Sequence, residues 1–249
     1  MVAARSAAMA FNRLVDAKFD AANPRTASRH IPAGLLSRTQ VWMFFTASCI
    51  AFILGTLLFL PNRLPLILAI PVLAWLCGYS LAKRFTSAAH VWLGIALAMS
   101  PICTWIAIRG EFLQSNMAEL MPTVWLAIGI ACWVSGFDII YACQDADFDR
   151  EAKLHSIPAR LGVPGALRLA AVLHSAMWLV LAAIPTMQPE LNLGAIYYVG
   201  LIAVAVLLIR QHWIVNPKDL SRVNEAFFTL NAIISFGFTL IAAVDACLR

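Results

Sequence analysis

Leu120-Met-Pro-Thr-Val-Trp-Leu-Ala-Ile-Gly-Ile-Ala-Cys-Trp-Val-Ser-Gly-Phe137 is an uncharged run of 18 residues, and it ends directly on Asp138-Ile-Ile-Tyr141-Ala-Cys-Gln-Asp145-Ala-Asp147-Phe-Asp149-Arg-Glu151. The first part is long enough to cross a lipid bilayer as a helix. The second part carries five acids in fourteen residues. A membrane-spanning run that delivers acids at its end states both the fold class and the place to look for function. Six further uncharged runs are of spanning length: Thr39–Leu60, Leu64–Ala82, Phe85–Ile108, Leu169–Pro189, Leu191–Ile209 and Ala226–Val244. Lipid-facing runs of this length are read as helices, because a helix satisfies all its backbone hydrogen bonds within one segment.

Composition agrees. Of the 249 residues, 61% are hydrophobic and 12% charged, and the mean hydropathy is +0.80. A soluble globule usually carries about 25% charged residues, so a water-soluble domain, a disordered chain and a disulfide scaffold are all excluded. The six cysteines, Cys49, Cys77, Cys103, Cys132, Cys143 and Cys247, form no CxxC pair and are read as packing residues. The net charge is +5, which on so apolar a chain suits loops at an anionic membrane surface rather than nucleic acid.

The expected fold is therefore all-α, a polytopic transmembrane bundle of seven full spans in one domain over residues 1–249. A partial N-terminal helix, Val2–Asp20, precedes them; it is rich in alanine, which suits close helix packing, but Arg5 spoils it as a span. Orientation follows from the bases. Fifteen of the 18 Lys and Arg fall on one set of alternating connections, leaving Arg63, Arg109 and Arg249 on the other. The positive-inside rule puts the base-rich set in the cytoplasm and the chain in the inner (plasma) membrane.

Seven of the 13 acids lie in two short stretches on that face. In the first, Asn12, Asp16 and Asp20 recur every four residues and share a helix face; in the second, Asp145 and Asp149 do the same. An acid at mid-membrane costs about 2.5–3.5 kcal/mol on insertion scales, so Asp138 behind its apolar run is expensive and marks an interior or wet site. Carboxylates stacked on one face repel unless a cation lies among them. Hard oxygen ligands from two helices suit Mg²⁺ carrying a phosphate ester. The bases Arg25, Arg29, Lys83, Arg84, Arg150, Lys153 and Arg160 interleave with them. Two other readings stand beside this one. The acids could be solvated loop residues or plain ion-pair partners of nearby arginines. The chain could also be a non-catalytic or cation-coupled transport protein, working through mid-span residues such as His90 or His174.

The motifs resemble a family. Asn12-xxx-Asp16-xxx-Asp20 is similar to the first aspartate-rich motif of UbiA-type intramembrane aromatic prenyltransferases, and Asp138-xx-Tyr141-xxx-Asp145-xxx-Asp149 to the second. Tyr79-Ser-Leu-Ala-Lys83-Arg84-Phe-Thr86 is similar to their YxxxKRxT loop, and Arg25-Thr-Ala-Ser-Arg29 through Gly34 to their RTxxRxxxxG segment. The resemblance implies a bundle of nine transmembrane helices around a cavity open sideways to lipid. It implies two Mg²⁺ ions held by Asn12, Asp16, Asp20, Asp145 and Asp149, with the four aspartates as the catalytic set. It implies a polyprenyl diphosphate bound also by Arg25, Arg29, Lys83, Arg84, Tyr141, Lys153, Ser156 and Arg160. The second substrate would be a hydroxyaryl carboxylate, alkylated ortho to its hydroxyl, and the partners would be these substrates and the bilayer.

Within the family the texture is most similar to bacterial 4-hydroxybenzoate polyprenyltransferase-like enzymes of ubiquinone synthesis. That group includes the futalosine branch of menaquinone synthesis, whose acceptor is a dihydroxynaphthoate. His155 stands where many relatives carry Lys, and either donates to phosphate or caps its loop. Phe11, Trp105 and Trp133 are candidate cavity walls or packing residues. In the family a full helix and the start of the next precede the first motif, whereas eleven residues precede Asn12 here. The expectation is a domain apparently lacking the family's first helix, through a late start or a fragment, or else a shortened relative.

Overall fold

The computed structural model describes residues 1–248, so that Arg249, counted above on the base-poor face, lies outside the described residues. The chain forms α1 (Val2–Ala22), α2 (Arg38–Thr56), α3 (Leu64–Ala82), α4 (Ala89–Arg109), α5 (Met121–Ala142), the short α6 (Ala146–Glu151), α7 (Ile157–Met187), α8 (Ala195–Ile214) and α9 (Asn231–Cys247). Among the described residues no β-strand forms beyond an isolated bridge between Asn216 and Asp219. Seven helical segments are long and apolar enough to cross a membrane. The protein is a multi-pass, all-helical membrane bundle.

Several bounds differ from those read off hydropathy. α4 begins at Ala89, not Phe85, because the Thr86 hydroxyl accepts the Ala88 N–H and holds a turn ahead of the helix. α5 does not stop at Phe137; it runs to Ala142 and continues through a 3₁₀ turn, Cys143–Asp145, into α6. α7 starts at Ile157, where Ser156 accepts the Ala159 N–H, and breaks at Gly162, whose φ of 69° is open to glycine without strain. α1 runs for 21 residues, Val2–Ala22. Its buried face is Ala4, Ala7, Ala8, Ala10, Leu14 and Ala17, so small side chains let it lie close to its neighbours.

The helices pack in chain order: α1 on α2 and α3, α3 on α4, α4 on α5, α5 on α7, α7 on α8 and α8 on α9. Two crossings are especially close. A Cβ at Gly94 on α4 would fall 2.5 Å from the Ala131 carbonyl oxygen of α5, and one at Gly136 on α5 would fall 2.5 Å from His174 Nε2 of α7. These contacts fix α5 between its two partners. Large apolar side chains such as Leu58, Trp213 and Phe236 are exposed, as on a lipid-facing surface. Among the described residues all six cysteines are free.

Candidate functional site

Four segments bring charge to one end of the bundle. α1 presents Asn12, Asp16 and Asp20 on one face, and the Asn12 amide donates to Asp16 Oδ2 at 2.8 Å, as four-residue spacing requires. The loop after α1 folds back over it with Arg25 and Arg29. The loop after α3 supplies Lys83 and Arg84. α5 and its continuation supply Asp138, Tyr141, Asp145 and Asp149. All of these line one cavity of about 250 Å³.

Within it Asp16, Asp20, Asp145 and Asp149 each meet a lysine or arginine from another segment. Arg84 Nη2 lies 3.4 Å from Asp16 Oδ1, Arg29 Nη1 lies 2.6 Å from Asp20 Oδ1, and Lys83 Nζ lies 3.2 Å from Asp149 Oδ2. Arg25 grips Asp145 with two donors, Nε to Oδ1 at 2.8 Å and Nη2 to Oδ2, in the fork geometry that suits a carboxylate. Its remaining Nη1 donates to the Tyr141 hydroxyl at 3.0 Å, and the guanidinium sits over that ring. The bond to Asp145 raises the Arg25 pKa above its ordinary value. Burial does the same to Asp16, against the opposing hydrogen bond from Arg84. The acids are thus ion-paired, as the plainer reading of the sequence allowed, but inside a cavity rather than on a solvated loop.

Three residues expected with this set stand elsewhere. Lys153, Ser156 and Arg160 line an adjoining recess with Ser87, Arg150 and His155, which shares Leu154 with the cavity. The cause is the α6–α7 connection. Lys153 takes a left-handed φ of 55°, and the chain turns so that Leu154, not its basic neighbours, reaches the cavity wall. Ser156 is fully buried and spends its hydroxyl on the α7 N-terminus; Arg160 donates to Ser87 Oγ at 3.3 Å. The His155 backbone N–H donates to the Lys83 carbonyl at 2.6 Å, tying the two loops together. Phe11 packs with Trp42 and Phe45, and the Trp133 indole donates to Asn231.

The structure also adds residues. Asn23 donates to Asp145 Oδ1 at 3.0 Å while its own oxygen accepts the Arg25 backbone N–H, so it orients both partners of that pair. The signal in the sequence was an Asn-Pro turn just before a motif arginine. Thr26 donates to the Asp20 carbonyl at 3.1 Å. Tyr79 and His90 line the wall as well.

The donor set fits a hard divalent cation. Asp20 Oδ2 is buried with no hydrogen-bond partner, Arg13 Nη1 lying 4.0 Å from it, and the aspartates come as two pairs at four-residue spacing. Among the described residues no three His, Cys, Asp or Glu side chains close on a single point. A metal here would therefore draw further ligands from a substrate, as Mg²⁺ commonly does with phosphates.

Known proteins share this architecture. A family model described as the UbiA prenyltransferase family matches residues 1–233. The chain is 27% identical over 245 residues to a 4-hydroxybenzoate octaprenyltransferase of Aliivibrio fischeri, covering 96% of this chain and 79% of that one. It is 30% identical over 229 residues to a 4-hydroxybenzoate octaprenyltransferase of Tolumonas auensis, covering 91% and 75%. The solved apo structure of a UbiA homologue from Aeropyrum pernix K1 matches with a TM-score of 0.85 and 32% identity, over 98% of this chain and 86% of that one. With the match running through both aspartate-rich segments and the helical order shared, this chain belongs to the UbiA prenyltransferase family.

Proposed function

We propose that residues 1–249, as one membrane domain, transfer a polyprenyl group from its diphosphate to the ring of a hydroxyaryl carboxylate in quinone synthesis. The acceptor is 4-hydroxybenzoate or a dihydroxynaphthoate. The observation that carries the reading is the cavity in which four aspartates each face a base from a different segment. A diphosphate with divalent cations is complementary to such a lining, since cations take the carboxylates and phosphate oxygens take the bases. The 4-hydroxybenzoate octaprenyltransferases among its relatives support the acceptor class.

Asn12, Asp16, Asp20, Asp145 and Asp149 would hold Mg²⁺, which when bound supplies charge neutralisation at the diphosphate. Arg25, Arg29, Lys83 and Arg84 would move from carboxylate to phosphate oxygens and stabilise the negative charge of the leaving group as it develops. Asn23 keeps Asp145 oriented while Arg25 is so engaged. Tyr141 accepts the Arg25 Nη1–H at its hydroxyl and lies under the guanidinium, so it positions Arg25 for the diphosphate. Lys153, Ser156 and Arg160 would serve the substrate only from the adjoining recess. On this reading the base-rich connections, and the site with them, face the cytoplasm across the plasma membrane.

The test uses membranes holding the chain, Mg²⁺, a labelled polyprenyl diphosphate and either 4-hydroxybenzoate or 1,4-dihydroxy-6-naphthoate. A prenylated aromatic acid that disappears on chelation is the expected result, and the preferred acceptor names the pathway. Absence of product with both acceptors removes the reading.

A further inference from the structure

Five aspartates line the cavity, and four carry an arginine or lysine. The fifth, Asp138, carries a histidine. His90 Nδ1 on α4 lies 2.6 Å from Asp138 Oδ2 on α5; the His90 side chain is 1% exposed and that of Asp138 is 21% exposed. His90 Nε2 is buried and has no hydrogen-bond partner. The pair is held without slack, because Gly94, one turn on from His90, presses against Ser135 and Ala131, less than two turns before Asp138.

An ionised carboxylate has no proton to give, so His90 Nδ1–H donates and Asp138 Oδ2 accepts. In the neutral ring this leaves Nε2 bare, and it fixes the tautomer. Oδ2 is occupied by the ring, which leaves Oδ1 for a ligand in the cavity. Asp138 thus differs from the other four in facing a ring nitrogen rather than a lysine or arginine.

We infer that Asp138 receives the proton that the aromatic acceptor loses, and that His90 is the positioning residue that holds its carboxylate for this. The inference rests on the prenyl-transfer reading and assigns its last step. The C1–O bond of the prenyl diphosphate breaks and the diphosphate leaves with the electron pair. A ring carbon ortho to the hydroxyl forms the new C–C bond with its π electrons. The C–H pair at that carbon then returns to the ring, and its proton passes to Asp138 Oδ1 and on to water. No oxidant or reductant is needed.

The experiment uses the full chain with Mg²⁺, polyprenyl diphosphate, and an acceptor bearing hydrogen or deuterium ortho to its hydroxyl. His90→Leu removes the donor and is expected to lower kcat roughly 100-fold, the lower range for loss of assisted proton transfer. KM for the prenyl diphosphate is expected to hold, and a primary isotope effect absent from the wild type is expected to emerge as proton loss becomes limiting. His90→Asn, whose amide can restore an N–H to Oδ2, is expected to recover most of the rate. Asp138→Asn, which preserves shape, is expected to lose at least as much as His90→Leu, and its isotope effect decides the matter if His90→Leu fails to fold. An unchanged kcat, or a slower variant with no isotope effect and a raised KM for the diphosphate, overturns the assignment alone. A wild type inactive with every acceptor overturns the prenyl-transfer reading and this assignment together.

Discussion

The cavity wall and the α7–α9 side of the bundle bury polar groups by opposite means. Around the cavity the polar groups are ions from distant segments, such as Arg25 with Asp145 and Lys83 with Asp149, at the end of the bundle where loops meet. On the other side most are neutral, with Asp245 on α9, fully buried and accepting the Gly194 N–H, as an exception. His174 Nδ1 lies 2.9 Å from His212 Nε2, Trp133 Nε1 donates to Asn231 Oδ1 at 3.0 Å, and Gln211 Nε2 donates to the Ala226 carbonyl at 2.9 Å. Asn231 Nδ2 donates to the Phe227 carbonyl at 2.8 Å. Ala226 and Phe227 lie in a π-helical turn, Glu225–Leu230, where backbone groups that leave the regular ladder need other partners. The contrast teaches that ion pairs between segments gather at the end of this bundle where loops meet, while along α7–α9 neutral amides and imidazoles do most of the joining of helices.

Four substitutions test that division, the most damaging first. Asp145→Asn removes a carboxylate from the cavity and leaves Arg25 without its fork; prenylated product in membranes is expected to fall roughly 10³-fold, with the protein still inserted. A loss of only a few-fold would move Asp145 from the chemical to the structural side of the comparison. Gly94→Ala drives a methyl group into Ser135 and Ala131 and is expected to cost about 1–3 kcal/mol, read as a lower melting temperature in detergent. Activity should fall with it, because the same crossing places His90 beside Asp138.

His174→Leu breaks the neutral network and is expected to cost about 1 kcal/mol of stability, as other intramembrane hydrogen bonds do, with kcat unchanged. A fall in kcat at constant melting temperature would show that the two regions are coupled. Arg150→Ala removes a pair with Asp147 at 2.9 Å, whose side chain is 91% exposed. It is expected to shift stability by a few tenths of a kcal/mol at most and to leave kcat as it was.

Legibility followed the range of the interactions. The seven spans were legible because hydropathy is summed over some twenty neighbouring residues. The shared face of Asn12, Asp16 and Asp20 was legible because helical periodicity places residues four apart together. Helix ends were less so. The start of α7 at Ile157 depends on a Ser156 cap and a Gly162 break that hydropathy does not register. Lys153, Ser156 and Arg160 were expected at the diphosphate from the family resemblance, and a left-handed turn at Lys153 sets them in the recess beside the cavity.

The sequence by itself determined that this chain crosses a membrane many times, that its acids gather at one end of the bundle, and which motifs it shares with its family. Each of these depends on composition or on spacing within a single helix. Only the tertiary structure decided which base faces which acid, that Asn23 orients Asp145, and that Asp138 is paired with His90 instead of a cation. Apart from Arg29 with Asp20, nine positions apart, those contacts join residues 48 to 122 positions apart. Their geometry is set by where helices cross, at close approaches such as Gly94 against Ala131, and no local pattern in a chain encodes a crossing.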